Sequence, residues 1–265
     1  MNRVVKKVSI TRLGEGVDRG FLQPQPMART LAAVKEYAED AERYGVIPRA
    51  FATSAVRDAE NRGEFCGMVK EGAGIDIEVI DGDKEAELDF IGASALFPKD
   101  ESKLVLDIGG GSTEFIKGMQ NISDKFSLNM GSVRFTERFI SAGNLAGLCE
   151  EVEDMLKPHI KDIISAKRIV GIGGTITSLA SVDIGLEEYD ESMVQGYFLP
   201  ATHINAMRRR FCSASPDEMK EIKGLQRGRE DIILAGTAIL EESLDMLKAD
   251  GICVSDWDNL EGYLL

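Results

Sequence analysis

Leu104-Val105-Leu106-Asp107-Ile108-Gly109-Gly110-Gly111-Ser112-Thr113-Glu114-Phe115-Ile116 is a branched apolar run ending in one carboxylate, then three glycines, then a second apolar run that starts with another carboxylate. This is the pattern of a strand, a tight turn and a returning strand. Glycines without Cβ let a phosphate approach the main chain, and successive N–H groups in such a turn form an anion-binding concavity. Ser112 and Thr113 add hydroxyl donors. A β-branched residue at Gly110 is expected to fail, because the turn is read as needing a positive φ there. Two carboxylates beside a phosphate cradle would repel the ligand, so Asp107 and Glu114 point to a hard divalent cation such as Mg²⁺ between them and the phosphate oxygens. A glycine-rich hairpin without ligand is the plain alternative.

Composition narrows the partners. With a net charge of −14 over 265 residues, the chain lacks the basic surface that non-specific nucleic-acid or anionic-membrane binding needs, and neither is expected as a partner. A polyanionic substrate must be met by a local basic patch or by metal ions. No apolar run approaches the length of about 18 residues that marks a span, and Arg3, Lys6 and Lys7 interrupt the first valines, so the expected location is the cytoplasm. Cys66, Cys149, Cys212 and Cys253 stand singly, as reduced packing cysteines do. His159 and His203 lie far from the glycine turns.

Outward from the hairpin, strands alternate with helices. Residues 4–13 alternate as a strand, Pro24 and Pro26 prepare a helix over 27–44, and Arg49 to Ala52 is a short strand running into Thr53-Ser54-Ala55-Val56-Arg57. Ordinary capping by Thr53 or Ser54, and an anion held at a helix N-terminus with Arg57, both remain open there. A strand over 75–79 precedes a helix from Gly82 towards Pro98. Glu85 falls in the first turn of that helix, where carboxylates commonly serve the helix dipole. After a strand at 121–128, Gly131-Ser132-Val133-Arg134 opens a helix, and 144–166 reads as one long amphipathic helix. Arg168 to Thr175 is a second strand delivered into a glycine turn with a helix behind it, the arrangement that binds phosphates, so Gly173, Gly174 and Thr175 are candidates. Ile176 stands where a dinucleotide fingerprint needs its third glycine, and no phosphate-loop G-x-x-x-x-G-K-[ST] occurs. Helices over 200–212, 215–223 and 229–247, a strand at 251–255 and a terminal helix complete an α/β chain. The turn-prone run from Pro98 to Ser102 divides it into domains 1–97 and 98–265.

Thr11 to Val17, Ala52 to Asn61, Asp107 to Glu114, Gly131 to Arg134, Gly171 to Thr175 and Val254 to Gly262 occur in family order. In these blocks the chain resembles the exopolyphosphatase/guanosine pentaphosphate phosphatase (Ppx/GppA) family of the actin, hexokinase and heat-shock ATPase superfamily. The resemblance implies two ribonuclease H-like domains with the active site in the cleft between them, and the C-terminal helix completing the first. It implies hydrolysis of terminal phosphate from inorganic polyphosphate, with guanosine pentaphosphate as the alternative substrate, a divalent cation, Mg²⁺ or another, near Asp107 and Glu114, and a homodimer. It makes Glu85 the catalytic glutamate that orients or activates water. Gly109, Gly110, Gly111, Ser112 and Thr113 match the family's second phosphate loop, and Gly173, Gly174 and Thr175 match the turn that holds the distal part of the substrate. Arg57 and Arg12 would hold oxygens of the phosphate chain. Glu87 stands where the family more often has arginine. A non-catalytic phosphate-ligand sensor on the same fold is the other reading. An ATPase or sugar kinase is disfavoured by a glutamate at the expected position of the base.

Members of that family begin with a strand, a first phosphate loop and a second strand, whereas here Met1-Asn2-Arg3 leads into what resembles the third strand. The expectation is therefore an N-terminally shortened enzyme, inactive or nearly so. Its first sheet should show a gap, or strand 4–13 in a different register, since unpaired buried backbone groups cost about 1–3 kcal/mol each.

Overall fold

The computed structural model describes residues 5–17 and 20–265. They form two compact units, residues 1–81 and 82–265.

In the first unit, α1 (Pro24–Arg43) starts with proline in its first turn and is followed by β1 (Ala50–Ala52), α2 (Ser54–Arg57), α3 (Arg62–Ala73) and β2 (Ile77–Val79). β1 and β2 pair in parallel, Phe51 opposite Glu78. Leu22, Met27, Val56, Phe65 and Val69 form the core beneath them. The strand expected over residues 4–13 is not formed by residues 5–13, and Val4 lies outside the described residues. The alternation is present, yet Val5 and Val8 are 51% and 65% exposed. The segment is tied to α1 by side chains instead: Lys7 to Asp40, Tyr37 to Ser9 at 2.7 Å, and Thr30 to Thr11 at 2.9 Å.

The second unit is built on one six-stranded sheet. Its strands are β3 (Lys103–Ile108), β4 (Thr113–Gly118), β5 (Ile122–Leu128), β6 (Arg168–Ile172), β7 (Phe198–Pro200) and β8 (Gly251–Val254), in the spatial order β5-β4-β3-β6-β8-β7. β3, β4 and β5 are an antiparallel meander, β3, β6 and β8 run parallel, and β7 closes the edge antiparallel to β8. An antiparallel meander continued by parallel strands is the ribonuclease H-like arrangement of the actin-like ATPases.

Successive strand residues point to opposite faces, which sorts the side chains. On one face Leu104, Leu106, Ile108 and Phe115 join the main core, covered by α6 (Leu145–Leu156), α8 (Gly173–Ile184), α10 (Ala201–Ser213) and α12 (Ile233–Leu247). The shorter helices between these are α5 (Ser132–Phe135), α7 (Ile160–Ile163) and α9 (Glu191–Val194), with α11 (Pro216–Lys220) before α12 and α13 (Asn259–Leu264) at the end. On the other face Val105, Ile116, Val170 and Ile172 pack against Ala86, Phe90 and Ala93 of α4 (Gly82–Ser94). That packing groups α4 with the residues after it, so the units divide after residue 81 and not after 97. The helix read over 144–166 is two helices, α6 and α7, interrupted around Pro158, which lacks an N–H to donate into the ladder. Residues 136–140 form a π-helical turn and Phe198–Pro200 a short edge strand, neither of them expected. No helix among the described residues is long and apolar enough to cross a membrane.

Candidate active site

In the β3–β4 hairpin Asp107 lies opposite Glu114. Each is two residues from a side chain packed under α4, so both carboxylates project on α4's face. The turn between them is pinned from above by the chain entering α5. Ser132 N–H donates to Gly109 O at 2.9 Å, Val133 and Arg134 N–H donate to Gly110 O at 2.9 and 3.1 Å, and Arg134 Nε donates to Gly111 O at 2.8 Å. A Cβ on Gly131 would stand 2.4 Å from Gly110 C and O, so glycine there lets the two backbones touch. The turn's carbonyls are thus engaged, while the N–H groups of Gly110 and Gly111 donate to no backbone carbonyl among the described residues. Gly109, Gly110 and Gly111 are not among the glycines with positive φ, which corrects the expectation for Gly110. What excludes a larger residue is space: a Cβ on Gly110 would lie 3.3 Å from Val133 Cγ2. The two hydroxyls are directed inward. Ser112 Oγ donates to Glu114 Oε1 at 2.6 Å, Ser127 Oγ to the same oxygen at 2.8 Å, and the buried Thr113 to Met130 O.

The second turn meets the first. β6 runs beside β3, with Ile172 opposite Asp107, and Gly173, at φ +82°, then begins α8. A Cβ on Gly173 would stand 2.2 Å from Asp107 Oδ1. The Asp107 carboxylate therefore fills the seam between the two turns. A Cβ on Gly174 would collide with the Arg229 guanidinium, 1.8 Å from Nη2. Thr175 is buried and fits because the residue facing it on α12 is Gly236, whose Cβ would come 2.5 Å from Thr175 Cγ2. One arginine thus accompanies each glycine turn, Arg134 the first and Arg229 the second.

Glu85 and Asp89 lie one turn apart on α4, so they share a face. Glu85 is 7% and Asp89 0% exposed, so Glu85 is not the solvated helix-start residue that local sequence suggested. A third element supplies another carboxylate. α13 crosses α4 where Gly92 and Gly262 face backbone directly; a Cβ on Gly92 would be 2.0 Å from Asp258 O, and one on Gly262 2.0 Å from Leu88 O. Asp258 caps α13, its Oδ1 accepting from Leu260 N at 2.9 Å. Burial, then the charges of Asp107, Glu85, Glu114 and Asp258, push Asp89 well above the usual carboxylate range. Burial, then Glu114, Asp258 and Glu85, do the same to Asp107. Neither oxygen of Asp89 has a hydrogen-bond partner.

Such a group of like charges fits a divalent cation. Among the described residues no three His, Cys, Asp or Glu side chains are placed to hold a metal ion together. An ion here would be held by one or two carboxylates, with waters and substrate oxygens completing its shell, as Mg²⁺ allows. The structure thus brings together Glu85, Asp107, Glu114 and both glycine turns. Arg57 and Arg12 belong to the first unit, where Arg57 Nε pairs with Asp58 at 3.3 Å and Nη1 reaches Ile80 O at 3.5 Å. Glu87 pairs with Lys84 at 2.9 Å. His159 stacks on Phe126, and His203 faces Asp183 at 3.0 Å. All four cysteines are free thiols. Neither Arg229 nor Asp89 belongs to a block that carries the family resemblance, whereas Arg134 and Asp258 lie inside such blocks without being candidates there.

Two phosphate-type glycine turns side by side on an actin-like sheet, with carboxylates between them, define a phosphate-handling protein. The chain belongs to the Ppx/GppA phosphatase family, whose sequence profile matches residues 1–265. It is 38% identical over 277 residues to a bifunctional 3-dehydroquinate synthase/phosphatase of Fusobacterium nucleatum, covering 99% of this chain and 41% of that protein's length. It is 31% identical over 288 residues to exopolyphosphatase 2 of Mycobacterium tuberculosis, covering all of this chain and 89% of that one. The crystal structure of an exopolyphosphatase from Cytophaga hutchinsonii matches with a TM-score of 0.88 at 29% identity, over 98% of this chain and 88% of the other.

Proposed function

We propose that this chain hydrolyses the terminal phosphoanhydride bond of inorganic polyphosphate, with guanosine pentaphosphate as the alternative substrate. The observation that carries the proposal is the meeting of two glycine turns at Asp107, each with an arginine beside it, next to the buried Glu85. In a protein of net charge −14, Arg134 and Arg229 supply the local positive charge that a polyanion requires. The backbone N–H groups of Gly110 and Gly111, and those opening α8 at Gly173 and Gly174, are the donors assigned to phosphate oxygens. Ser112 and Thr113 act instead by fixing Glu114 and the strand after the turn.

Glu85 is assigned the proton of the attacking water. Water oxygen bonds to the terminal phosphorus, the bridging P–O bond breaks, the shortened chain leaves with the bridging oxygen, and the water proton passes to Glu85 and on to solvent. Asp107 and Glu114 would hold Mg²⁺, which when bound offsets charge on the transferred phosphoryl group. The test is phosphate release from polyphosphate, guanosine pentaphosphate and ATP in parallel, with Mg²⁺ and with EDTA. Mg²⁺-dependent release from polyphosphate, with ATP slow, supports the proposal. Binding of polyphosphate without phosphate release from any of the three would reassign the chain as a phosphate-ligand sensor.

A further inference from the structure

Asp89 has no part in the chemistry above. It lies one turn after Glu85 on α4, is wholly buried, and offers two carboxylate oxygens that nothing satisfies. Around it are the charges of Asp107, Glu85 and Glu114 and, from α13, of Asp258. Lys84 pairs with Glu87 and Lys125 with Asp83, each at 2.9 Å. The close backbone contacts at Gly92 and Gly262 lock α4 against α13, which leaves Asp89 no room to swing towards solvent. A buried, unpartnered carboxylate is costly, and each such group in a native structure calls for an explanation. A proton would neutralise one oxygen of Asp89 and leave the other unsatisfied. A divalent cation would satisfy Asp89 and attenuate the charges around it at once.

We propose that Asp89 is a ligand for a divalent cation, held jointly with Asp107. The proposal rests on the reading of Asp107 as cation-holding and adds to it a residue from α4. Two carboxylates with waters and phosphate oxygens suffice for Mg²⁺ or Mn²⁺. Complete burial strengthens the attraction of Asp89 for the ion, because little water screens it.

The test uses the full chain, with Mn²⁺ alone as the probe and no phosphate compound present. Bound Mn²⁺ is followed by electron paramagnetic resonance, and thermal melts are run in EDTA and in Mn²⁺. Asp89→Asn and Asp89→Leu should each bind Mn²⁺ about tenfold or more weakly than wild type, and the rise in melting temperature that Mn²⁺ gives wild type should shrink in both. In EDTA both variants should melt at or above wild type, since a buried carboxyl group without a hydrogen-bond partner has been removed. Mn²⁺ affinity within about twofold of wild type in both variants would overturn the proposal. So would a wild type that takes up no Mn²⁺ at millimolar concentration, or a fall in melting temperature of both variants in EDTA. No turnover enters these measurements. A failure here leaves the phosphate-release proposal standing, and an inactive chain leaves the Mn²⁺ result standing.

Discussion

Replacing Gly262 by alanine probes how closely α13 must lie on α4. The added Cβ would stand 2.0 Å from Leu88 O and 2.9 Å from Leu88 Cα, and the reciprocal contact places the Cβ position of Gly92 2.0 Å from Asp258 O. Carbon–oxygen contacts settle at about 3.3–3.6 Å, so the helices must part by more than about 1 Å. The opposing atoms are backbone, which cannot rotate aside as the end of a side chain can. Overpacking of this kind costs about 1–3 kcal/mol. For a unit the size of residues 82–265, about 2 kcal/mol lowers the melting temperature by about 4–8 °C. Asp258 would move with α13, so phosphate release should fall as well. The assay is thermal unfolding by circular dichroism, with Leu264→Ala as the control: Leu264 sits on the same helix but is 68% exposed, and its loss should stay within about 0.5 kcal/mol. A Gly262→Ala protein melting within about 1 °C of wild type would refute the reasoning, because it would mean that α13 has slack the structure does not show.

Glu85→Gln keeps size and hydrogen bonding but removes the proton acceptor; turnover should fall about 10²- to 10⁴-fold with substrate affinity within a few-fold, and a variant keeping a third of wild-type kcat would return Glu85 to a helix-start role. Asp107→Asn and Glu114→Gln should raise the Mg²⁺ concentration needed for half-maximal activity, which unchanged metal titrations in both would contradict. Without metal, the folded protein holds protons on Asp89 and Asp107, both raised above the usual carboxylate range, that the unfolded chain releases. The stability these protons contribute is fully present below the ordinary carboxylate pKa and is lost as pH rises through the raised folded values. Melting temperature in EDTA should therefore fall between mildly acidic and alkaline pH and recover with Mg²⁺, whereas a flat profile would count against the carboxylate group as described.

Much of the fold was legible because its signals are local. The run from Leu104 to Ile116 specifies a hairpin, and the structure pairs it in register, Val105 opposite Ile116 and Asp107 opposite Glu114. α1 lies close to where apolar spacing puts a helix, and α12 close to the helix expected over 229–247. The errors have separate causes. Amphipathic spacing continues across Pro158, but the missing N–H of proline ends α6 at Leu156 and α7 begins only at Ile160. β7 is three residues ending in proline, too short for alternation to register, and exists because β8 offers an edge to pair with. Residues 5–13 do alternate, but alternation reports a half-buried face only where a sheet lies beneath it, and here the segment is fastened to α1 by polar side chains.

The site divides along the same line. Asp107, Glu114, Gly173 and Gly174 were legible because strand, glycine and carboxylate adjoin in sequence, whereas Arg229 reaches Gly174 only through the path of the chain into α12. The glycines misread at the first turn show how: three in a row suggested unusual backbone angles, while the structure spends them on the approach of α5. Gly92 and Gly262 carried a weak signal of the same kind, since glycine inside a helix costs about 1 kcal/mol against alanine and persists where another backbone comes close. Asp89 carried a stronger one. It falls among Ala86, Phe90 and Ala93, in the stripe that α4 buries, and a charged residue in such a stripe is almost never fully buried unless it is paired. Neither oxygen has a protein partner, and that observation is what the proposed cation rests on.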